Sequence, residues 1–129
     1  IISIIGSVFL FFGTLFFAGI GFTPHDLHLD AHIFFALNAF RLLIPGLILY
    51  FFVLMRSGVS KKYSLMIFCL LFFTFLYVIY QIVSDSPLTS IEQMVEQAII
   101  QKVITLVNIV CMFFLSFAFS ERLKDIKLS

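Results

Sequence analysis

The residues best suited to chemistry lie in one short polar segment, TPHDLHLDAH, where three histidines alternate with two aspartates. Imidazole nitrogens and carboxylate oxygens bind zinc or copper, and His28 and His32 would share a face if a helix started early in the segment. The same side chains also suit the membrane interface, where they cap a helix and hydrogen-bond across a loop, and we expect this simpler role. A metal site is the alternative, with His25, His28 and His32 as its candidate ligands.

The sequence lacks the residues that other kinds of catalysis require. It contains no Ser-His-Asp set, no glycine-rich phosphate loop and no HExxH motif. All three histidines fall in one segment, so a haem held by histidines from two helices cannot be built from this chain. Cys69 and Cys111 lie in separate apolar runs and form no CxxC pair. We therefore predict no catalytic residue and no cofactor, with a bound lipid and the metal described above as the alternatives.

The composition predicts a lipid environment. Of 129 residues, 62% are hydrophobic and 12% are charged, against about 45–50% and about 25% in soluble domains. A soluble domain of this size could not bury that much apolar surface. The net charge of +1 creates no field that would attract nucleic acid. A soluble globular domain and a nucleic-acid partner are both excluded.

Four apolar segments are each close to the roughly 20 residues that a helix needs to cross about 30 Å of hydrocarbon. Short polar segments separate them, and the period-two alternation of a membrane barrel is absent. The sequence therefore predicts an all-α, polytopic membrane protein, an antiparallel bundle of four transmembrane helices in a single domain. The predicted spans are residues 1–22, 31–55, 63–83 and 97–119.

The longest polar break predicts a further helix start. Thr89 and Ser90 precede Glu92 and Gln93 by three residues each, which is the spacing of a capping box. We expect an amphipathic helix over about 89–96 that runs along the outer interface and leads into the fourth span. It would serve as a solvated extension or as a docking surface for another protein.

Lysine and arginine predict the orientation. The first and third polar breaks hold only acids and histidines, so the positive-inside rule places the 56–62 loop and both termini on the cytoplasmic side. The membrane would be a bacterial or archaeal cytoplasmic membrane or the inner membrane of an organelle. The cations that decide this are Arg56, Lys61, Lys62, Arg122, Lys124 and Lys127.

Polar residues within the spans are informative because each is costly in hydrocarbon and normally faces protein or a wet cavity. Asn38, Arg41 and Pro45 share one face of the second helix, and the fourth helix has a polar stripe of its own. A weaker stripe on the third helix contains Thr74, Tyr77 and Gln81. We predict a polar intramembrane cluster in the outer half of the bundle, formed by Asn38, Arg41, Gln97, Gln101, Lys102 and Asn108.

Arg41 is the most informative member of this cluster. It lies eleven residues from Asp30, which is too deep for a charge at the end of a helix. In one interpretation it only fixes helix packing, by bonding Asn38, a glutamine of the fourth span, or carbonyls freed by Pro45. In another it holds a lipid head group, a quinone carbonyl or a partner's carboxylate.

Close packing of the first helix is predicted from its small residues. Ser3, Ser7, Thr14 and Ala18 form a stripe along one side of the predicted span. Small side chains let membrane helices approach closely. We expect this stripe to face a neighbouring helix.

The stretch GIGFTPHDLHLDAHIFFALNAF, residues 19–40, resembles the signature of the integral-membrane family called domain of unknown function 998. Gln101-Lys102 stands where members of that family often carry Gln-Arg. The resemblance implies a membrane fold of six helices, of which this chain would supply the later four, consistent with a start at Ile1 rather than Met. It implies no activity and no catalytic residue. The matching positions are Gly21, Phe22, Pro24, Asp26, His32, Ala36 and Phe40, with Pro24, Asp26 and His32 as the outer-loop motif.

Three functions follow from these features. The favoured one is a non-catalytic accessory or assembly subunit of a larger membrane complex, whose partners are membrane lipids and other membrane protein subunits. The second is a binder of a lipid or quinone-like amphiphile between helices in the outer leaflet. The third is a transporter or membrane enzyme with a metal site in the first extracytoplasmic loop.

Overall fold

The computed structural model describes residues 1–24, 26–84 and 90–128. These residues form four helices, α1 (Ile2–Phe22), α2 (Leu29–Arg56), α3 (Lys61–Val83) and α4 (Ile91–Leu128), with no strand in the described ranges. Each helix is long and apolar enough to cross a membrane. The predicted fold class, an all-α polytopic membrane protein with four transmembrane helices, is confirmed.

The start of α4 follows the predicted capping signal. The backbone N–H of Gln93 donates to Ser90 Oγ at 3.2 Å, so Ser90 caps the helix. Thr89 lies outside the described residues. From Ile91 to Leu128 the sequence contains no glycine or proline that would end a helix. The predicted interfacial segment and the fourth span are therefore parts of one continuous helix in the structure.

The chain divides into two compact units, Ile1–Val53 and Leu54–Ser129. The first contains α1 and nearly all of α2, and the second contains α3 and α4. Each unit is an antiparallel helical hairpin. Short loops impose this arrangement, because consecutive helices that cross the same membrane must run in opposite directions.

The first hairpin is packed through glycines. A Cβ atom added to Gly6 would lie 3.0 Å from the Tyr50 ring, and one added to Gly46 would lie 2.7 Å from Leu10 Cδ2. Gly6 and Gly13 are buried and stand seven residues apart, which is the repeat of two helices wound together with left-handed twist. The missing side chains let the two backbones approach closely.

The predicted packing stripe on α1 was wrong in position. Ser7 does reach α2, with its hydroxyl 2.6 Å from that of Tyr50. Ser3, Thr14 and Ala18 are exposed, and Thr14 donates to the carbonyl of Leu10 in its own helix. Each of Ser7 and Thr14 follows a buried glycine by one residue, so the predicted stripe lies about 100° around the helix from the glycine face.

The second hairpin has the same repeat with larger and more polar side chains. On α3 the buried positions alternate between four and three residues apart, as in a coiled coil, and on α4 they are four, seven and three residues apart, which fits the same seven-residue repeat. Hydrogen bonds near both ends fix the register, from Gln97 to Ser84 at one end and from Tyr63 to Glu121 at the other. The buried residues of the repeat include Tyr63, Ile67, Leu70, Thr74, Tyr77, Ile104, Asn108, Leu115 and Ala118.

Replacing a buried glycine at the contact between α1 and α2 should loosen the first hairpin. We expect Gly6→Leu to lower the free energy of unfolding by about 1–3 kcal/mol, because the new side chain meets the Tyr50 ring. Detergent-induced unfolding, followed by energy transfer between labels on α1 and α2, measures this. The control is Gly21→Leu, since a Cβ atom there meets nothing within 4 Å. Equal destabilisation by both variants would contradict the packing described here.

Candidate functional site

The outer-loop motif is held by hydrogen bonds to its own backbone. The carbonyl of Pro24 accepts from the N–H of His28 at 2.9 Å. The ring of His32 donates from Nδ1 to the carbonyl of Thr23 at 2.7 Å, because a carbonyl can only accept. The expected histidine bond across the loop is therefore present, and it ties the first turn of α2 to the end of α1.

The metal hypothesis gains no ligand group from the described residues. Within the described ranges, no three His, Cys, Asp or Glu side chains are grouped closely enough to hold a metal ion. His25 lies outside the described residues. The ligand set of His25, His28 and His32 remains a prediction.

The polar face of α2 contains Asn38 and Arg41. Asn38 donates from Nδ2 to the carbonyl of Phe34 at 2.8 Å, which satisfies one amide N–H within its own helix. Arg41 is exposed, and it forms neither an ion pair nor a hydrogen bond within the described residues. The expected bond from Arg41 to Asn38 is therefore not seen.

Pro45 increases the polarity of this face. Proline has no backbone N–H, so it cannot donate the helical hydrogen bond to the carbonyl four residues earlier. That carbonyl belongs to Arg41, and α2 continues through Pro45 without interruption. Arg41 thus combines an unpaired guanidinium with a main-chain carbonyl that lacks its helical donor.

The predicted polar stripe of α4 lies on the buried side of that helix. Gln97 and Gln101 are half-buried, and Asn108 is 6% exposed. Lys102, one residue after Gln101, is exposed and off the stripe. These four residues belong to the second unit, whereas Asn38 and Arg41 belong to the first. A single pocket shared by all six residues remains a prediction.

A buried polar layer lies in the middle of the second hairpin. Asn108 donates to the carbonyl of Ile104 at 2.8 Å. The register places Thr74 of α3 near the same level, where it is 0% exposed. In the part of the chain that the structure describes, Thr74 Oγ1 and Gln81 Oε1 are buried without a hydrogen-bond partner. The weak stripe predicted on α3 therefore contains two unsatisfied polar atoms.

A second polar cluster was missed from the sequence. Glu121 Oε1 accepts from the Tyr63 hydroxyl at 2.7 Å and from Lys62 Nζ at 3.3 Å. Lys62 Nζ also lies 4.7 Å from the centre of the Tyr63 ring, within range of a cation–π contact. The sequence contained a signal for this cluster, because Lys62 and Glu121 carry opposite charges at the ends of the third and fourth spans that face each other. The cluster fastens the start of α3 to α4.

The chain was also compared with known proteins. No protein-family model, curated protein or solved structure matches it. The resemblance of residues 19–40 to the domain of unknown function 998 family remains a prediction. Two separate candidate sites are defined by geometry, the Asn38 and Arg41 face within the first hairpin and the Thr74 and Asn108 layer within the second.

Removal of the unsatisfied Thr74 hydroxyl should not destabilise the hairpin. We expect Thr74→Val to leave the free energy of unfolding unchanged or to raise it by about 1 kcal/mol, because the hydroxyl has no partner to lose. Thr74→Ala is the control and should lower it, since it leaves a cavity. Chemical or detergent unfolding measures both. A loss of 1 kcal/mol or more in Thr74→Val, on the order of one hydrogen bond, would mean that the hydroxyl is bonded in the membrane.

Proposed function

We propose that this protein is a non-catalytic accessory or assembly subunit of a larger membrane complex. The observation that carries the proposal is Arg41, a charged residue inside a transmembrane helix with no partner among the described residues. A charge in that position normally pairs with protein or faces a wet cavity. A helix from another subunit would supply the missing surroundings.

The short connections support the same proposal. Six, four and seven residues separate successive helices, so the loops between them are too short to form a separate catalytic domain. The described polar groups lie on helix faces or at helix ends. A protein built in this way acts through its membrane surfaces. We include in the proposal that the chain belongs to the domain of unknown function 998 family, on the basis of the motif in residues 19–40.

A lipid or quinone-like amphiphile bound against α2 is the second candidate. The Arg41 guanidinium has five donors for a phosphate or a quinone carbonyl, and exposed apolar side chains flank it. Phe34 and Ile48 are the nearest of these on the same face. A purified protein that retains one such molecule and no protein partner would favour this candidate over the first.

The proposed orientation can be tested with single cysteines. In a background without Cys69 and Cys111, we expect Leu27→Cys to react with a membrane-impermeant maleimide in intact cells, because positive-inside orientation places the first loop outside. Ser60→Cys, also at an exposed loop position, should react only after the membrane is permeabilised. The reverse pattern would overturn the orientation.

The subunit role predicts a stoichiometric partner. Tagged protein purified from its native membrane in mild detergent should co-elute with another membrane protein at a fixed, reproducible ratio, as measured by quantitative mass spectrometry. We expect Arg41→Leu to lose this partner and Arg56→Leu, which changes an exposed arginine at the end of α2, to retain it. If the tagged protein elutes alone or with only a single lipid, the proposed subunit role is wrong.

A further inference from the structure

The register of the first hairpin locates Arg41 at the middle of the membrane. The Cβ position of Gly13 is 3.4 Å from Leu43 Cδ2 and 3.6 Å from the carbonyl oxygen of Ala39. Arg41 lies midway between those two residues on α2, so it is level with Gly13. Gly13 is one residue from the centre of the 21-residue α1, and a helix of that length matches the hydrocarbon thickness of about 30 Å. Arg41 therefore lies deeper in the membrane than the sequence predicted, since the sequence placed it in the outer half of the bundle.

Arg41 faces away from its own hairpin. The α2 residues that meet α1 include Ala39, Leu43 and Gly46. Arg41 follows Ala39 by two residues, which turns it about 200° around the helix. The large apolar residues on its side of α2 are exposed, with Phe34 at 55% and Phe52 at 49%. The first hairpin therefore presents a cation at mid-depth, next to Asn38, on a face whose large side chains are apolar and exposed.

This chain has no carboxylate at the same depth. None of the seven acidic residues in its sequence falls in the central part of a span, where the charged residues are the cations Arg41 and Lys102. Amides and hydroxyls can accept hydrogen bonds from a guanidinium but cannot neutralise it. The acidic residues are Asp26, Asp30, Asp85, Glu92, Glu96, Glu121 and Asp125.

A lipid phosphate fits this position poorly. An arginine at the midplane is about 15 Å from either head-group region, half of the hydrocarbon thickness, which is further than its side chain extends. A phosphate would have to be drawn deep into the hydrocarbon to reach it. A carboxylate that is already at that depth on a transmembrane helix needs no such distortion.

We propose that the Arg41 face of α2 docks a transmembrane helix, other than α1 to α4, that carries an aspartate or glutamate at mid-membrane depth. This inference rests on the proposed subunit function and names the chemistry of the partner. The guanidinium donates two parallel hydrogen bonds to the carboxylate, a geometry that also fixes the register of the two helices. Asn38, one turn away, keeps its amide oxygen as an acceptor for a second polar side chain, and Phe34 and Phe52 exclude lipid around the pair.

Synthetic helices that differ in one residue test the inference directly. The full chain is labelled with a fluorescent donor and reconstituted in phosphatidylcholine vesicles with acceptor-labelled leucine-rich transmembrane peptides. One peptide carries aspartate at its centre, a second carries leucine there, and a third carries aspartate two turns nearer one end. We expect the first to bind about tenfold or more tightly than the other two, a ratio that corresponds to about 1.4 kcal/mol.

Variants of the chain identify the residue responsible. Arg41→Leu and Arg41→Gln should each remove the preference for the central aspartate, and Arg56→Leu should keep it. Circular dichroism and energy transfer between α1 and α2 show that the variants are folded. If the folded Arg41 variants retain the preference, or if the displaced aspartate binds equally well, the inference is overturned.

Lipid competition separates the two sources of anionic charge. Replacement of part of the phosphatidylcholine by phosphatidylglycerol should leave the aspartate preference in place. If phosphatidylglycerol abolishes it, the occupant is a lipid and the docking inference is wrong. Failure of the peptide experiment overturns the docking inference, whereas failure to find any stoichiometric partner in the native membrane overturns the subunit function itself.

Discussion

The absence of water in the hydrocarbon core is the constraint on which this structure depends. Backbone groups there must be bonded within the protein, so each span is a helix. The same constraint acts on side chains, and Thr14, Asn38 and Asn108 each donate to the carbonyl four residues earlier in their own helix. These residues are thereby satisfied without help from another helix. Exceptions among the described residues include the Thr74 hydroxyl, the Gln81 side-chain oxygen and the Arg41 guanidinium.

The two hairpins bring their helices together in different ways, and both follow from the lipid surroundings. Apolar contact alone gives little drive for association between membrane helices, because lipid tails are equally apolar. The first hairpin therefore depends on glycines that bring the backbones close, with the Ser7 and Tyr50 hydroxyls bonded beside them. The second hairpin uses polar side chains at its two ends and a tightly packed repeat between them.

Much of this fold could be predicted from the sequence, because span length and hydropathy are local properties. The helix start at Ser90 was equally predictable, since a capping box involves only residues that are close in sequence. The packing face of α1 could not be predicted, because glycine and serine both fit a small-residue pattern and Gly6 and Ser7 are adjacent in the sequence. The Lys62, Tyr63 and Glu121 cluster depends on the register of two helices, which no local pattern specifies.

The unsatisfied polar groups of Thr74 and Arg41 have different consequences. Thr74 is neutral and buried, so its unsatisfied hydroxyl lowers only the stability of its own hairpin. The protein tolerates this loss without a partner. Arg41 is charged and exposed on a surface that would otherwise meet lipid, so its cost falls on every state in which that surface is uncovered. Association with an acidic helix removes this cost only in the assembled state. A mid-membrane arginine whose own helices carry no mid-membrane carboxylate is therefore more stable when an acidic helix covers it, and this physical argument supports the proposed subunit role.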